Sequence, residues 1–308
     1  MDPHPEPAHR TLLTATLLAG AGALLFGLKG VVVKLAYAAG AEPTGLLAWR
    51  LLLALPCFAL VLVWVARRDP RPVERRDLLA AAAWGIVGFH AASWINFLGL
   101  ERIGAGLERI ILFIYPALVV GLSALRDGRR PAPALLAAAG VTWVGIVVAW
   151  WHHARLGDAD PLGVARVAAS AVVFAGFMAG SEPMARRVGS QRAMALGMVA
   201  AAGGMTVQAL LTSGIPLPTP TGFAWAVVLA LACTVAPVLL QAAALGTLGA
   251  ARLAVVSTVG PVGTLLIAWA ALGEDPGVLG AVGAAITIAG GAWCGLAGKG
   301  PRNQPQRA

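Results

Sequence analysis

Residues 101–116 read ERIGAGLERIILFIYP: the opening of an apolar helix that nonetheless carries Glu108 and Arg109 side by side. Charge at a bilayer centre costs about 2.5–3.5 kcal/mol per group on insertion scales, so such residues face a cavity or one another. The stretch returns as GAARLAVVSTVGP at 249–261, with Leu253 and Ala254 where the first copy has Glu108 and Arg109. A shift of 145 positions carries Gly104 onto Gly249, Pro116 onto Pro261, Pro131 onto Pro276 and Gly145 onto Gly290. Shared Gly and Pro positions over such a distance point to an internal duplication.

Outward from this stretch, the chain has the composition of a membrane protein. Of its 308 residues 58% are hydrophobic and 12% charged, with a mean hydropathy of +0.79. Soluble domains carry roughly 25% charged residues. The apolar residues come in blocks of about 20, enough for a helix to cross the hydrocarbon, and none alternates as barrel strands do. Run length and breakers give ten segments: 12–38, 45–66, 78–99, 103–125, 132–151, 162–184, 192–212, 222–245, 249–272 and 277–297. The expected fold class is an all-α integral membrane protein with ten transmembrane helices. The first segment is longer than a signal-peptide core and is expected to stay uncleaved.

Charge placement sets the orientation. The net charge of +9 sits in short loops rather than on one continuous face, which excludes a nucleic-acid binder. Arg67, Arg68, Arg71, Arg75 and Arg76, then Arg126, Arg129 and Arg130, then Arg186, Arg187 and Arg192 fall on one side. The opposite connections GAEP, SGIPLPTPT and GEDP carry no Lys or Arg. The positive-inside rule then puts both termini in the cytoplasm of a multi-pass inner (plasma) membrane protein. Five spans per half means that the second half inserts upside down relative to the first. The expected domains are two inverted five-helix repeats, 12–151 and 162–297, joined by loop 152–161. That is the usual build of secondary transporters, whose site lies between the repeats. Cys57, Cys233 and Cys294 lie in apolar segments and suit neither a disulfide framework nor a metal site.

Several strings, in order, resemble EamA-type members of the drug/metabolite transporter superfamily. They are FGLKGVVVKLA in the first segment, GAEPTGLLAWRLLLALP with Arg50 in the second, and IGAGLERIILFIYPALVV in the fourth. The second half supplies LGAARLAVVSTVGPVGTLLIAWAALGEDP and then GAVGAAITIAGG. The resemblance covers about residues 15–297 and implies a small-solute carrier, often an exporter of amino acids or other metabolites, working by alternating access. The acidic residue that often closes the fourth helix of each half is Glu274 in the second. The first half has Arg129 at the matching position, with Asp127 nearby, so a role for that carboxylate does not transfer there.

The ionisable residues inside spans are the candidates for substrate binding or coupling: Lys29, Lys34, Arg50, His90, Glu108 and Arg109, with Glu182 nearer a helix end. Glu108 is expected either to neutralise Lys34, Arg50 or Arg109, or to leave a cation free for an anionic substrate group. Lys29, deepest by rise per residue, is the first choice for that contact. His90, Trp94 and Phe97 share one face at helical spacing, to line a cavity or to pack. Tyr115 gains interest beside Pro116, which frees a carbonyl and lets the helix bend; Pro261 repeats this. Gln241, Ser257 and Thr258 are weaker candidates.

These readings imply a small-molecule substrate and the lipid bilayer as partners, no cofactor, no metal and no catalytic group. A homodimer is left open. The rivals are an integral-membrane enzyme acting on lipid-linked substrates, for which His152 and His153 offer only an isolated pair, and a membrane sensor that binds without transporting.

Overall fold

Proline starts several of the helices, because its missing N–H costs nothing in a first turn. In the computed structural model, which describes residues 6–297 apart from 70, 71, 127, 129, 131, 132, 158, 213, 216, 217 and 258, helices α2 (Pro43–Arg68), α7 (Pro133–Leu156), α8 (Pro161–Val188) and α10 (Pro220–Ala230) all begin this way. The remaining helices are α1 (Glu6–Ala38), α3 (Arg75–Gly85), α4 (Ala92–Leu100), α5 (Ala105–Leu112), α6 (Tyr115–Arg126), α9 (Ser190–Leu211), α11 (Ala236–Ser257), α12 (Val259–Leu272) and α13 (Gly277–Ala297). Among the described residues there is no strand, only an isolated bridge between Ile103 and Ala159. Eight helical segments are long and apolar enough to cross a membrane, and two shorter apolar ones follow at 259–272 and 277–293.

Two π-helical turns interrupt the ladder, Ile86–Ala91 between α3 and α4 and Leu231–Val235 between α10 and α11. They begin 145 residues apart, the offset of the sequence repeat. Such turns mark functional sites often enough to focus attention there. The proline breaks also correspond. The chain leaves α-helix at Phe113 and Ile114, where the amide of Ile114 bonds back to Ile111 at 3.2 Å, and α6 starts one residue before Pro116. In the second half α11 ends at Ser257 and α12 starts two residues before Pro261.

Glycine sets how closely the helices approach. α7 and α13 run antiparallel, and a Cβ on Gly145 would run into Thr287 Oγ1 while one on Gly290 would meet Thr142 Oγ1 at 2.5 Å. The two contacts exchange under the 145-residue shift, so the pair is self-complementary in the way of a two-fold interface. Small residues permit this backbone approach where no hydrophobic driving force acts between helices in lipid. The wider packing follows the same exchange: α2 lies on α9, α3 on α9 as α10 on α2, and α4 on α8 as α1 on α11.

One expectation fails. The sequence predicts a break near 246–248, but helical backbone runs without a gap from Ala236 to Ser257. Along α1, Gln241 lies beside Gly22, Ala244 and Leu248 beside Ala15 and Ala19, then Val256 beside Gly20 and Gly260 beside Ala23. The chain therefore doubles back between Leu248 and Val256 while keeping helical geometry on both sides. Gly246 and Gly249 misled the reading, since neither forces a non-helical linker.

Candidate functional site

Lys29 projects from α1 toward α4 and α5. Its Nζ donates to Asn96 Oδ1 at 2.8 Å and lies 3.6 Å from Glu108 Oε1, and Asn96 Nδ2 donates to the same carboxylate oxygen at 2.9 Å. Glu108 is only 1% exposed. Three helices thus share one buried, hydrogen-bonded ion pair, which is how a charge survives away from water. Gly30 makes the space: a Cβ there would stand 3.1 Å from Glu108 Oε2.

This corrects the expected pairing. Glu108 neutralises Lys29, not Lys34, Arg50 or Arg109. Arg109 is its sequence neighbour, but consecutive residues on a helix point in different directions. Lys29, the first choice for a substrate contact, is already committed to two partners. Lys34 instead donates to the carbonyl of Leu100 at 3.2 Å, and Tyr37 to that of Phe97 at 2.9 Å, so α1 satisfies the C-terminal end of α4.

Arg50, on α2, is 7% exposed. Its Nε donates to Thr234 Oγ1 at 2.8 Å, and the Thr234 hydroxyl donates to the carbonyl of Leu229 at 2.8 Å across the second π turn. The guanidinium also lies over the Phe97 ring, 5.7 Å from its centroid. Arg109 packs beside Gly260 of α12, where its Nη2 would stand 3.2 Å from an added Cβ. Both arginines fall within electrostatic reach of Lys29. Among the described residues, Arg50 Nη1 and Arg109 Nε are buried without a hydrogen-bond partner.

The other candidates spread around this centre. His90 lies on the first π turn and its Nε2 pairs with Gln208 Oε1 of α9 at 2.7 Å. His90 meets α9, while Phe97 meets Arg50 of α2. Trp94 packs against the main core with Nε1 buried and unpaired among the described residues. Tyr115 stacks edge-on against Phe174 of α8, and Phe177 continues that contact to Phe89. Gln241 packs against α1 at Gly22. Pro261 is buried in the first turn of α12. The side chains of Pro116 and Glu182, and all of Thr258, Asp127 and Arg129, lie outside the described residues.

Sequence reasoning missed Asn96, Thr234 and Gln208, neutral residues with no charge to flag them. For Asn96 a signal existed: the 145-residue shift carries it onto Gln241, an amide onto an amide. At the start of α5, Glu274 accepts hydrogen bonds from the amides of Ala105 and Gly106, each at 2.8 Å. The turn before α13 is thereby fastened to the start of α5. Beside it Lys34 and Arg102 line a recess of 540 Å³.

A bundle of membrane-length helices around a buried polar cluster defines the class, a polytopic membrane protein with an internal polar centre. The EamA-like transporter family model matches the chain twice, over residues 13–151 and 161–294. An uncharacterized transporter of Bacillus subtilis (strain 168), YcbK, is 30% identical over 282 residues, covering 89% of this chain and 90% of that one. A solved structure described only as "Crystal structure of protein" superposes with a TM-score of 0.62 at 22% identity, covering 91% of this chain and 95% of that chain; it speaks for the fold alone. The chain belongs to the EamA-like transporter family, and family and relative together make it a membrane transporter.

Proposed function

We propose that the protein is a secondary transporter that moves a small organic solute, an amino acid or related metabolite, out across the cytoplasmic membrane by alternating access. In this reading ten spans form two inverted five-helix repeats, 12–151 and 162–297, with both termini cytoplasmic. The observation that carries it is the buried cluster of Lys29, Arg50, Asn96 and Glu108, with Thr234 contributed by the other half. Polar groups are costly in a membrane interior and mark solute pathways, and a site shared between repeats is what rocking of one half against the other requires. The reciprocal contacts of α7 with α13 and the corresponding π turns support the repeat relationship.

Counterflow in proteoliposomes tests the reading. Vesicles loaded with each of a panel of amino acids and related metabolites should accumulate the same labelled solute from outside, and protein-free vesicles should not. Binding without exchange would leave a sensor, and chemical conversion of the label would leave an enzyme. Orientation is tested separately: an impermeant maleimide applied to intact cells should label Glu42→Cys and Asp275→Cys and spare Glu74→Cys and Gln191→Cys.

A further inference from the structure

Three cations meet near the middle of the bundle, and the structure separates them by what they still lack. Lys29 is satisfied by Asn96 and Glu108. Arg109 lies between α5 and α12 with Nε unpaired among the described residues. Arg50 is the most fully oriented. The Phe97 ring covers one face of its guanidinium, and Thr234 takes its Nε. Thr234 cannot turn away, because its own proton is given to the Leu229 carbonyl. What remains is the terminal edge, the two Nη groups, of which Nη1 is buried without a partner among the described residues.

A guanidinium edge of this kind is a fork matched to two oxygens of one anionic group. Leaving its donors unpaired in a buried setting is costly, more so for a charged group. Of the three cations, Lys29 alone is paired with a carboxylate among the described residues.

We propose that the terminal edge of Arg50, oriented by Thr234 and Phe97, receives an anionic oxygen group of the transported solute, a carboxylate or a phosphate ester. The inference rests on the carrier reading and names its substrate class. It also assigns the two halves different work at the site, since Arg50 comes from the first and the hydroxyl that aims it from the second. Lys29, Asn96 and Glu108 then form the wall of the site and not its receptor.

The test uses purified full-length protein in detergent and thermal unfolding with named probes: L-leucine against L-leucinamide, malate against malamide, and glucose 6-phosphate against glucose. At least one probe bearing a carboxylate or phosphate should raise Tm where the counterpart lacking that group does not, with carboxylate and phosphate arms separating the two sources of charge. Arg50→Gln should raise the half-maximal concentration about 10- to 100-fold, as expected for loss of a charged hydrogen-bond pair. Thr234→Val, which leaves the charge but frees Nε, should give a smaller rise. Counterparts lacking the group acting as well as acids, no acid acting at all, or an acid preference that survives Arg50→Gln would overturn the assignment; the wild-type comparison stands even where Arg50→Gln fails to fold. Counterflow of neutral and acidic solutes alike would sink this inference while leaving the carrier reading intact. An Arg50-dependent acid preference without counterflow would do the reverse.

Discussion

Glu274 and Gly106 are 168 residues apart, yet the carboxylate of one accepts the backbone amide of the other at 2.8 Å. Its second oxygen takes the neighbouring amide of Ala105. These are the first free amides of α5, where the positive end of the helix dipole favours a negative charge. The contact leaves room for nothing larger than glycine alongside, since a Cβ on Gly104 would come within 2.7 Å of Glu274 Oε2. Glu274→Ala is expected to destabilise the protein by about 1–3 kcal/mol, the range for hydrogen bonds to a charged group. Glu274→Gln, which still offers one oxygen, should fall between the two. Denaturation in detergent measures both, and wild-type stability in Glu274→Ala would show that the contact contributes nothing.

The Lys29–Glu108 pair supports a second expectation. Removing either partner strands a buried charge, at a cost of about 3–5 kcal/mol, whereas replacing both by apolar residues of similar size is often neutral. Lys29→Met and Glu108→Leu should each destabilise strongly, and the double variant should be less damaged than the sum of the two. A double-mutant cycle on Tm or denaturant midpoint reads this coupling. Additive losses would mean that the two charges do not interact in solution.

Close backbone crossing gives a third. A Cβ on Gly85 would run into Gly197 Cα, whereas among the described residues nothing lies within 4 Å of one on Gly203, in the same helix as Gly197. Gly85→Ala is therefore expected to push α3 away from α9 and reduce the yield of folded protein. Gly203→Ala should be neutral or slightly stabilising, since alanine is favoured over glycine in a helix interior by about 1 kcal/mol. Size-exclusion profiles of the two variants give the answer, and equal behaviour would contradict the crossing.

Much of this was legible beforehand, and the misses have physical causes. Long apolar runs announce helices because nothing else satisfies a backbone in hydrocarbon, and among the described residues eight helical segments of membrane-crossing length and two shorter ones lie along those runs. The doubling back after Leu248 was misplaced because helix can continue up to a turn that contains no breaker. At the site, charge made Lys29, Arg50 and Glu108 visible, but which of them pair depends on facing directions between helices. The π turn at Ile86–Ala91 shows the difficulty: no residue in IVGFHA announces it. Thr234 became visible only once the fold brought it to a charge, whereas Asn96 had a signal in its match to Gln241 under the 145-residue shift.

A fourth expectation concerns pH at the join between halves. Asp160 accepts the amides of Leu162 and Gly163 at the start of α8 and bonds Arg102 at 2.9 Å. The Gly163 amide, and then Arg102, hold its carboxyl below the ordinary value of 3.8. A depressed folded-state pKa adds stability above the unfolded value, and that share is lost as pH falls through the folded one. Asp160→Ala should thus lower Tm at neutral pH, with the gap from wild type closing below about pH 3.8. A gap that stays constant down to pH 2 would assign the effect to something other than this charge.

The mutual fit of α7 and α13, in which Gly145 receives Thr287 as Gly290 receives Thr142, carries a consequence for how the polypeptide could be divided. A joint that each half completes for the other needs no covalent thread to find its register. Severed in the 157–160 linker and made as two separate products in one cell, the pieces would be expected to seek each other in the bilayer and rebuild the whole.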